Sequence, residues 1–198
     1  MQKFLFCKPR FNCGFFAAFL ALSLWAGPLH GGISYSGSVT PVPQTGGSTW
    51  SLSSMADLYV GSTSGQAGTL TLSGAGTAMT TSRAVNIGYS GVGELAIESG
   101  ASAYWKTAGY PAFVGRNAVG TLSITGTGSS LTSEITVNVG YSGGTGSMRI
   151  DAGGKGIFGT LSLGSYDGTG AATVSGTGSS LTLTNASYIG LAGTGSLL

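Results

Sequence analysis

The chain has 198 residues, which is long enough for one domain with its own core. Only 7% of the residues are charged, whereas 37 are glycine and 41% are hydrophobic. So few charges exclude an ordinary globular surface, and the apolar content excludes a disordered tail. A chain that is both glycine-rich and apolar is typical of a structural repeat.

The N-terminal segment, residues 1–30, has the pattern of a secretory signal peptide. Lys3, Lys8 and Arg10 precede the uncharged run FFAAFLALSLWA (15–26). Basic residues followed by a short apolar run are typical of export signals, and this run is too short to span a bilayer comfortably. We expect cleavage between residues 26 and 32, and a mature chain with no membrane-spanning segment.

Removal of this segment changes the chemistry that the chain can offer. Both cysteines lie inside it, so we expect no disulfide in the mature chain. Five basic and six acidic residues then remain, which leaves no basic surface for nucleic acid. The single histidine, His30, lies at the boundary. We therefore expect no metal site, no cofactor and no nucleic-acid partner.

Residues 31–45 are predicted to form a linker or an N-terminal cap, and residues 46–198 carry a repeat. A small apolar residue followed by glycine recurs at nearly even intervals, at Gly61, Gly88, Gly115, Gly140, Gly164 and Gly190. A second series keeps a similar spacing at Gly68, Gly93, Gly120, Gly146, Gly170 and Gly195. Two independent series with one period indicate a true repeat.

Each period contains three short runs with the pattern of strands. In one of them, TLTLS (69–73), apolar and polar residues alternate strictly. Three short strands per period of about 25–26 residues predict an all-β fold, a single-stranded parallel β-helix or β-solenoid, with right-handed coils. The heptapeptide GTGSSLT occurs at 126–132 and again at 176–182, and is predicted to be a corner plus a third strand. The last coil is predicted to be incomplete.

The alternating positions also predict the core. We expect columns of inward side chains, in which each residue stacks on its equivalent one coil away, at Leu70/Leu72, Leu95/Ile97, Leu122/Ile124, Met148/Ile150 and Val174. Each buried CH₂ group contributes about 0.8 kcal/mol. These columns should therefore supply most of the stability.

The repeat resembles a known family. The segments GGSTWSLSSMADLYVGS (46–62) and GTLTLSGAGTAMTTSRAVNIGYSGVGELAIESGAS (68–102) are similar to the glycine-rich repeats of some bacterial autotransporter-type (type V secretion) proteins and some PEP-CTERM proteins. This resemblance covers about residues 46–198. It implies an exported β-solenoid at the cell surface, at the outer membrane or in the extracellular matrix.

Glu98 and Asp151 are the only candidates for catalysis, and weak ones. They are expected in the same outward column two coils apart, with Thr125 between them, at a separation of about 10 Å. Glycosidases that use paired carboxylates need about 5–9.5 Å. A column of mostly small polar residues is also what a solvated face contains.

Tyr59, Phe113 and Tyr188 are candidates for binding, because they are expected in one outward column. Exposed aromatic rings can stack on sugars, although filling a groove or meeting a partner chain explains them as well. Our first hypothesis is an exported, non-enzymatic structural or adhesive protein, whose partner is a surface glycan or another repeat protein. The alternatives are a β-helix enzyme acting on polysaccharide and a weak carbohydrate-binding module.

Overall fold

The computed structural model describes residues 31–43, 45–52, 56–106 and 109–198, so the expected signal peptide lies outside the described residues. The described residues form only strands, turns and irregular segments, with no helix. The strands stack in parallel over about six coils, which confirms the predicted β-solenoid.

Each coil contributes one strand to each of three stacked rows. The first row contains β4 (Leu58–Val60), β7 (Val85–Ile87), β10 (Ala112–Val114) and β17 (Tyr188–Ile189). The second row contains β5 (Ala67–Ser73), β8 (Val92–Glu98), β11 (Val119–Thr125), β13 (Thr145–Asp151), β15 (Thr169–Val174) and β18 (Thr194–Leu197). The third row contains β3 (Thr49–Leu52), β6 (Ala78–Thr81), β9 (Ser102–Trp105) and β16 (Ser180–Leu183).

Two long strands belong to both the third and the first rows. They are β12 (Ser130–Tyr141) and β14 (Lys155–Ser165), which run through the corner that separates these rows in other coils. These two coils therefore differ from the expected arrangement of three separate short strands.

The strand register reproduces the period of the two glycine series. Leu70 pairs with Leu95, Leu95 with Leu122, and Leu122 with Met148, each in parallel strands one coil apart. Neighbouring strands lie about 4.8 Å apart, so each coil adds this height to the stack.

Residues 32–40 run against the direction of the coils. β1 (Gly32–Gly37) pairs antiparallel with β5, and β2 (Val39–Thr40) pairs antiparallel with β4. Ile33 of β1 is 1% exposed and Val39 of β2 is 4% exposed, so both side chains belong to the core. This segment covers the backbone edge of the first coil, an edge that would otherwise present unpaired N–H and C=O groups.

The predicted inward columns form the core. Eight of the nine residues are at most 1% exposed: Leu70, Leu72, Leu95, Ile97, Leu122, Ile124, Met148 and Ile150. Val174 is only half-buried and packs at the edge of the core. Trp105 and Phe158, from the third row, fill the same interior with no exposed surface.

Close backbone contact excludes a side chain at every glycine of the two series except Gly190. Gly88 has φ +76°, and a Cβ there would lie 2.3 Å from the carbonyl oxygen of Val119. A Cβ on Gly120, from the second series, would lie 2.1 Å from the backbone nitrogen of Gly115 and 2.3 Å from the carbonyl oxygen of Ile87. No side chain fits at either position, so the two series mark a corner where the backbones of adjacent coils are in close contact.

The second corner explains why GTGSSLT recurs after two coils. The second corner alternates in length between four residues and three. It contains residues 74–77, 99–101, 126–129 and 152–154 in successive coils. In the longer form a hydroxyl closes the turn. Ser129 Oγ donates to the carbonyl of Thr125 (2.7 Å) and accepts from the N–H of Gly100 in the previous coil (3.0 Å). The heptapeptide is therefore a corner plus a third strand, as predicted.

Candidate functional site

The strand register places the three predicted aromatic residues in one column. The first-row strands align Tyr59, Asn86, Phe113, Asn138, Ser162 and Tyr188. Tyr59 and Tyr188 are five coil steps apart, a separation of about 24 Å at the usual strand spacing. They cannot stack on the same sugar ring.

Phe113 does not offer a free ring to a ligand, in contrast to its expected outward exposure. It is only 6% exposed. The Arg116 guanidinium lies 4.6 Å from its ring centroid, and the Tyr141 ring packs against it at 4.8 Å. Arg116 and Tyr141 each directly follow a glycine of the first series.

Tyr59 is also engaged within the protein, whereas Tyr188 is not buried. The Tyr59 ring meets the Tyr89 ring edge-on at 5.4 Å. Burial and the neighbouring Asp57 carboxylate raise the pKa of the Tyr59 hydroxyl. Tyr188 is 47% exposed, at the last described coil. The column therefore packs coils together at Tyr59 and Phe113, and presents one exposed ring at Tyr188.

Glu98 and Asp151 occupy the expected positions. Both pair with Thr125 from opposite sides, so they lie two coils apart in one column, about 10 Å by strand spacing. The Asp151 side chain is 15% exposed and accepts a hydrogen bond from Arg149 Nε at 2.6 Å. Hydrogen bonding from Thr125, and then from Arg149, lowers the pKa of Asp151. A general acid needs a raised pKa, so this arrangement does not suit Asp151 to that role.

The third corner differs more from coil to coil than the other two. Counted between equivalent paired residues, the third corner contains residues 82–84, 106–111, 134–136 and 159–160 in successive coils. The longest of these loops therefore lies beside a three-residue corner (134–136), which is followed in the next coil by the two-residue corner (159–160). Residues 107 and 108 of the long loop lie outside the described residues. The difference in length leaves a groove above the two short corners.

This third-corner groove has a volume of about 590 Å³. Its lining includes Tyr110 of the long loop and residues from the shorter corners, namely Glu134, Ile135, Thr136, Thr160 and Asn185. Ile135 is 9% exposed and belongs to the hydrophobic core at the base of the corner. Glu134 and Asn185 are exposed. The groove therefore combines an apolar base with polar walls that offer hydrogen-bonding groups to a ligand.

An ion pair holds the aromatic wall. The Arg83 guanidinium lies 4.5 Å from the Tyr110 ring centroid, and Arg83 Nε donates to Asp57 Oδ1 at 2.8 Å. Tyr110 nevertheless remains 44% exposed. A cation packed against one side of an aromatic ring fixes its orientation. The Tyr110 ring is thus positioned before any ligand arrives.

A second hydrogen bond positions the acidic wall. The Tyr104 hydroxyl donates to Glu134 Oε1, and this bond to a carboxylate is the largest cause of the raised pKa of Tyr104. One carboxylate oxygen is thereby oriented, and the exposed carboxylate can still accept from a ligand. Asn185 donates its backbone N–H to the carbonyl of Gly159 at 2.8 Å. This bond anchors the opposite rim of the groove.

Sequence reasoning missed Tyr110, Glu134 and Asn185. The uneven spacing within the first glycine series could have located them, because much of this variation falls in the third corner. It could not have shown which side chains face each other across coils.

Comparison with protein-family models, curated proteins and solved structures found no match for this chain. Over residues 31–43, 45–52, 56–106 and 109–198, no helix has the length and hydrophobicity needed to cross a bilayer. In the same part of the chain, histidine, cysteine, aspartate and glutamate form no group of three or more that could hold a metal ion.

Proposed function

We propose that the chain is an exported, non-enzymatic repeat protein that acts as a structural or adhesive segment at the cell surface or in the extracellular matrix. The observation that carries this proposal is the regular stack of about six coils. Inner strands are hydrogen-bonded on both sides along the coil axis, and a continuous core runs inside them. Such a rod is suited to projecting or displaying a surface.

The outer surface supports the same function. The outward positions of the second row carry mainly serine, threonine and alanine, and Asp151 pairs with Arg149 instead of forming an acid–base pair. The polysaccharide-enzyme alternative needs two carboxyl groups with different pKa values at a suitable separation. No observation at Glu98 and Asp151 favours it.

Export is tested by expressing the full chain in a bacterium with two membranes and labelling intact cells. We expect cleavage between residues 26 and 32 and protein that a protease can reach from outside. A variant with Leu20→Arg and Leu22→Arg interrupts the apolar run and should stay inside. Cys7→Ser lies in the same segment but outside the run, and should be exported normally. Retention of the unaltered chain in the cytoplasm would contradict the proposal.

The non-enzymatic part is tested separately with a panel of polysaccharides. We expect no cleavage by the purified protein. Cleavage that is lost in Glu98→Gln would instead establish the enzyme alternative.

A further inference from the structure

The third-corner groove contains the groups that recognise a sugar. Sugar hydroxyls both donate and accept hydrogen bonds, and the groove offers the Glu134 carboxylate, the Asn185 amide and the Thr136 and Thr160 hydroxyls. Sugar C–H bonds carry a partial positive charge, and they pack favourably on the electron-rich face of an aromatic ring such as Tyr110.

The charge of the groove limits the class of sugar. None of the described lining residues is lysine or arginine, whereas Glu134 is acidic. A uronate or sulfate group would therefore face the Glu134 carboxylate, and the Arg83 cation packed against Tyr110 is already paired with Asp57 at 2.8 Å. The chemistry favours a neutral sugar.

The size and position of the groove favour an oligosaccharide over a small ion. Its volume of about 590 Å³ lies within the range of about 300–1,000 Å³ that is usual for organic ligands. It extends over the corners of successive coils, from Tyr110 to Asn185, so an extended chain can run along the coil axis.

We propose that the third-corner groove binds a neutral oligosaccharide, with Tyr110 stacking on a sugar ring and Glu134 and Asn185 bonding to its hydroxyls. This inference rests on the proposed function, because an adhesive segment outside the cell meets surface glycans, and it names the chemistry of that partner. The site differs from the column of Tyr59, Phe113 and Tyr188.

The test measures binding of the purified protein to cellohexaose, mannohexaose and N-acetylchitohexaose by saturation-transfer NMR and calorimetry. A hexamer of polygalacturonate is the acidic comparison. Tyr110→Ala removes the stacking ring, and Tyr166→Ala is its control, because Tyr166 is also an exposed tyrosine but lies outside both the groove and the column of Tyr59, Phe113 and Tyr188. Asn185→Ala removes a polar wall, and Asn117→Ala removes an exposed asparagine elsewhere.

We expect at least one neutral hexasaccharide to bind. Tyr110→Ala should weaken its affinity by about tenfold or more, and Asn185→Ala by about threefold or more. Both controls should stay within about twofold. Near-ultraviolet circular dichroism checks that each variant is folded, and Asn185→Ala decides the outcome if Tyr110→Ala does not fold.

The absence of binding to all three neutral hexamers overturns the proposal. It is also overturned if the folded groove variants bind as tightly as the unaltered protein, or if polygalacturonate binds more tightly than the neutral hexamers. Because binding is measured on purified protein, a negative result here does not bear on export, and failure of export does not bear on binding.

Discussion

The hydroxyl of Ser129 gives the sharpest test of how the coils are held together. Its oxygen bonds two backbone groups, the carbonyl of Thr125 at 2.7 Å and the N–H of Gly100 at 3.0 Å, and the residue has no exposed surface. Ser129→Ala leaves the half-buried Gly100 N–H without this acceptor at a site where the Ser129 side chain has no exposed surface. An unpaired buried group costs about 1–3 kcal/mol, so we expect the free energy of unfolding to fall by about 2–3 kcal/mol.

The chain supplies a matched control for this change. Ser179 Oγ donates to the carbonyl of Ser175 at 2.6 Å and accepts from the N–H of Gly153 at 3.1 Å, which is the same arrangement two coils later. Ser179 is only half-buried, so water can replace the lost partners. Ser179→Ala should therefore cost no more than about 1 kcal/mol.

A second control keeps the hydroxyl. Thr77 occupies the equivalent corner and donates to the carbonyl of Ser73 at 2.7 Å, so Ser129→Thr should preserve most of the stability. Denaturant titration followed by the fluorescence of the fully buried Trp105 measures all three variants. If Ser129→Ala and Ser179→Ala lose the same stability, the hydroxyl does not act through buried backbone groups and the reasoning is wrong.

Three further predictions concern the corners and the acidic column. Gly120→Ala should lower the free energy of unfolding by more than about 4 kcal/mol or prevent folding, because its Cβ would lie 2.1 Å from a backbone nitrogen. Gly76→Ala is the control: Gly76 has φ +86° and no atom within 4 Å of an added Cβ, so the same titration should show a loss of only about 1–2 kcal/mol. Ala152→Gly should stabilise by about 0.5–1 kcal/mol, since φ +49° strains a residue with a Cβ, and a lower unfolding midpoint would contradict this. The pKa of Asp151 is lowered on folding, so its contribution to stability is present above its ordinary value of 3.8 and lost as pH falls through the lower folded value. Asp151→Asn should therefore flatten the melting temperature profile at pH values below 3.8, and an unchanged profile would refute the assigned hydrogen bonds.

The sequence predicted the solenoid and its core because both depend on local regularities. Strict alternation from Leu70 to Leu72, repeated at Leu95 and Leu122, determines which side chains face inward once the period is known. The glycine series mark positions where backbone excludes any side chain, and this requirement is visible in the sequence. Register, period and core therefore follow from one strand pattern and two glycine positions.

The candidate site could not be predicted in the same way. Tyr110 and Asn185 are far apart in the chain. They line one groove only because the third corners of the coils between them are short. The register confirms the column of Phe113, but the cover of this ring by Arg116 depends on how a long side chain folds back across a coil. Alternation indicates which face a residue belongs to, and does not indicate what lies above it.

The three corners differ in how far their length can change, and this difference supports the proposed position of the binding groove. At the first corner, glycines bring the backbones of adjacent coils together: a Cβ on Gly93 would lie only 2.2 Å from the carbonyl oxygen of Val60 in the previous coil, so a side chain there would separate the coils. At the second corner, buried hydroxyls bond adjacent coils. The third corner is not held at every coil by close glycine contacts or by hydroxyl hydrogen bonds. Its loops range from two residues (159–160) to six (106–111). Residues can be added there without disturbing strand register, so a β-solenoid of this type can acquire a binding groove at the third corner at little cost in stability.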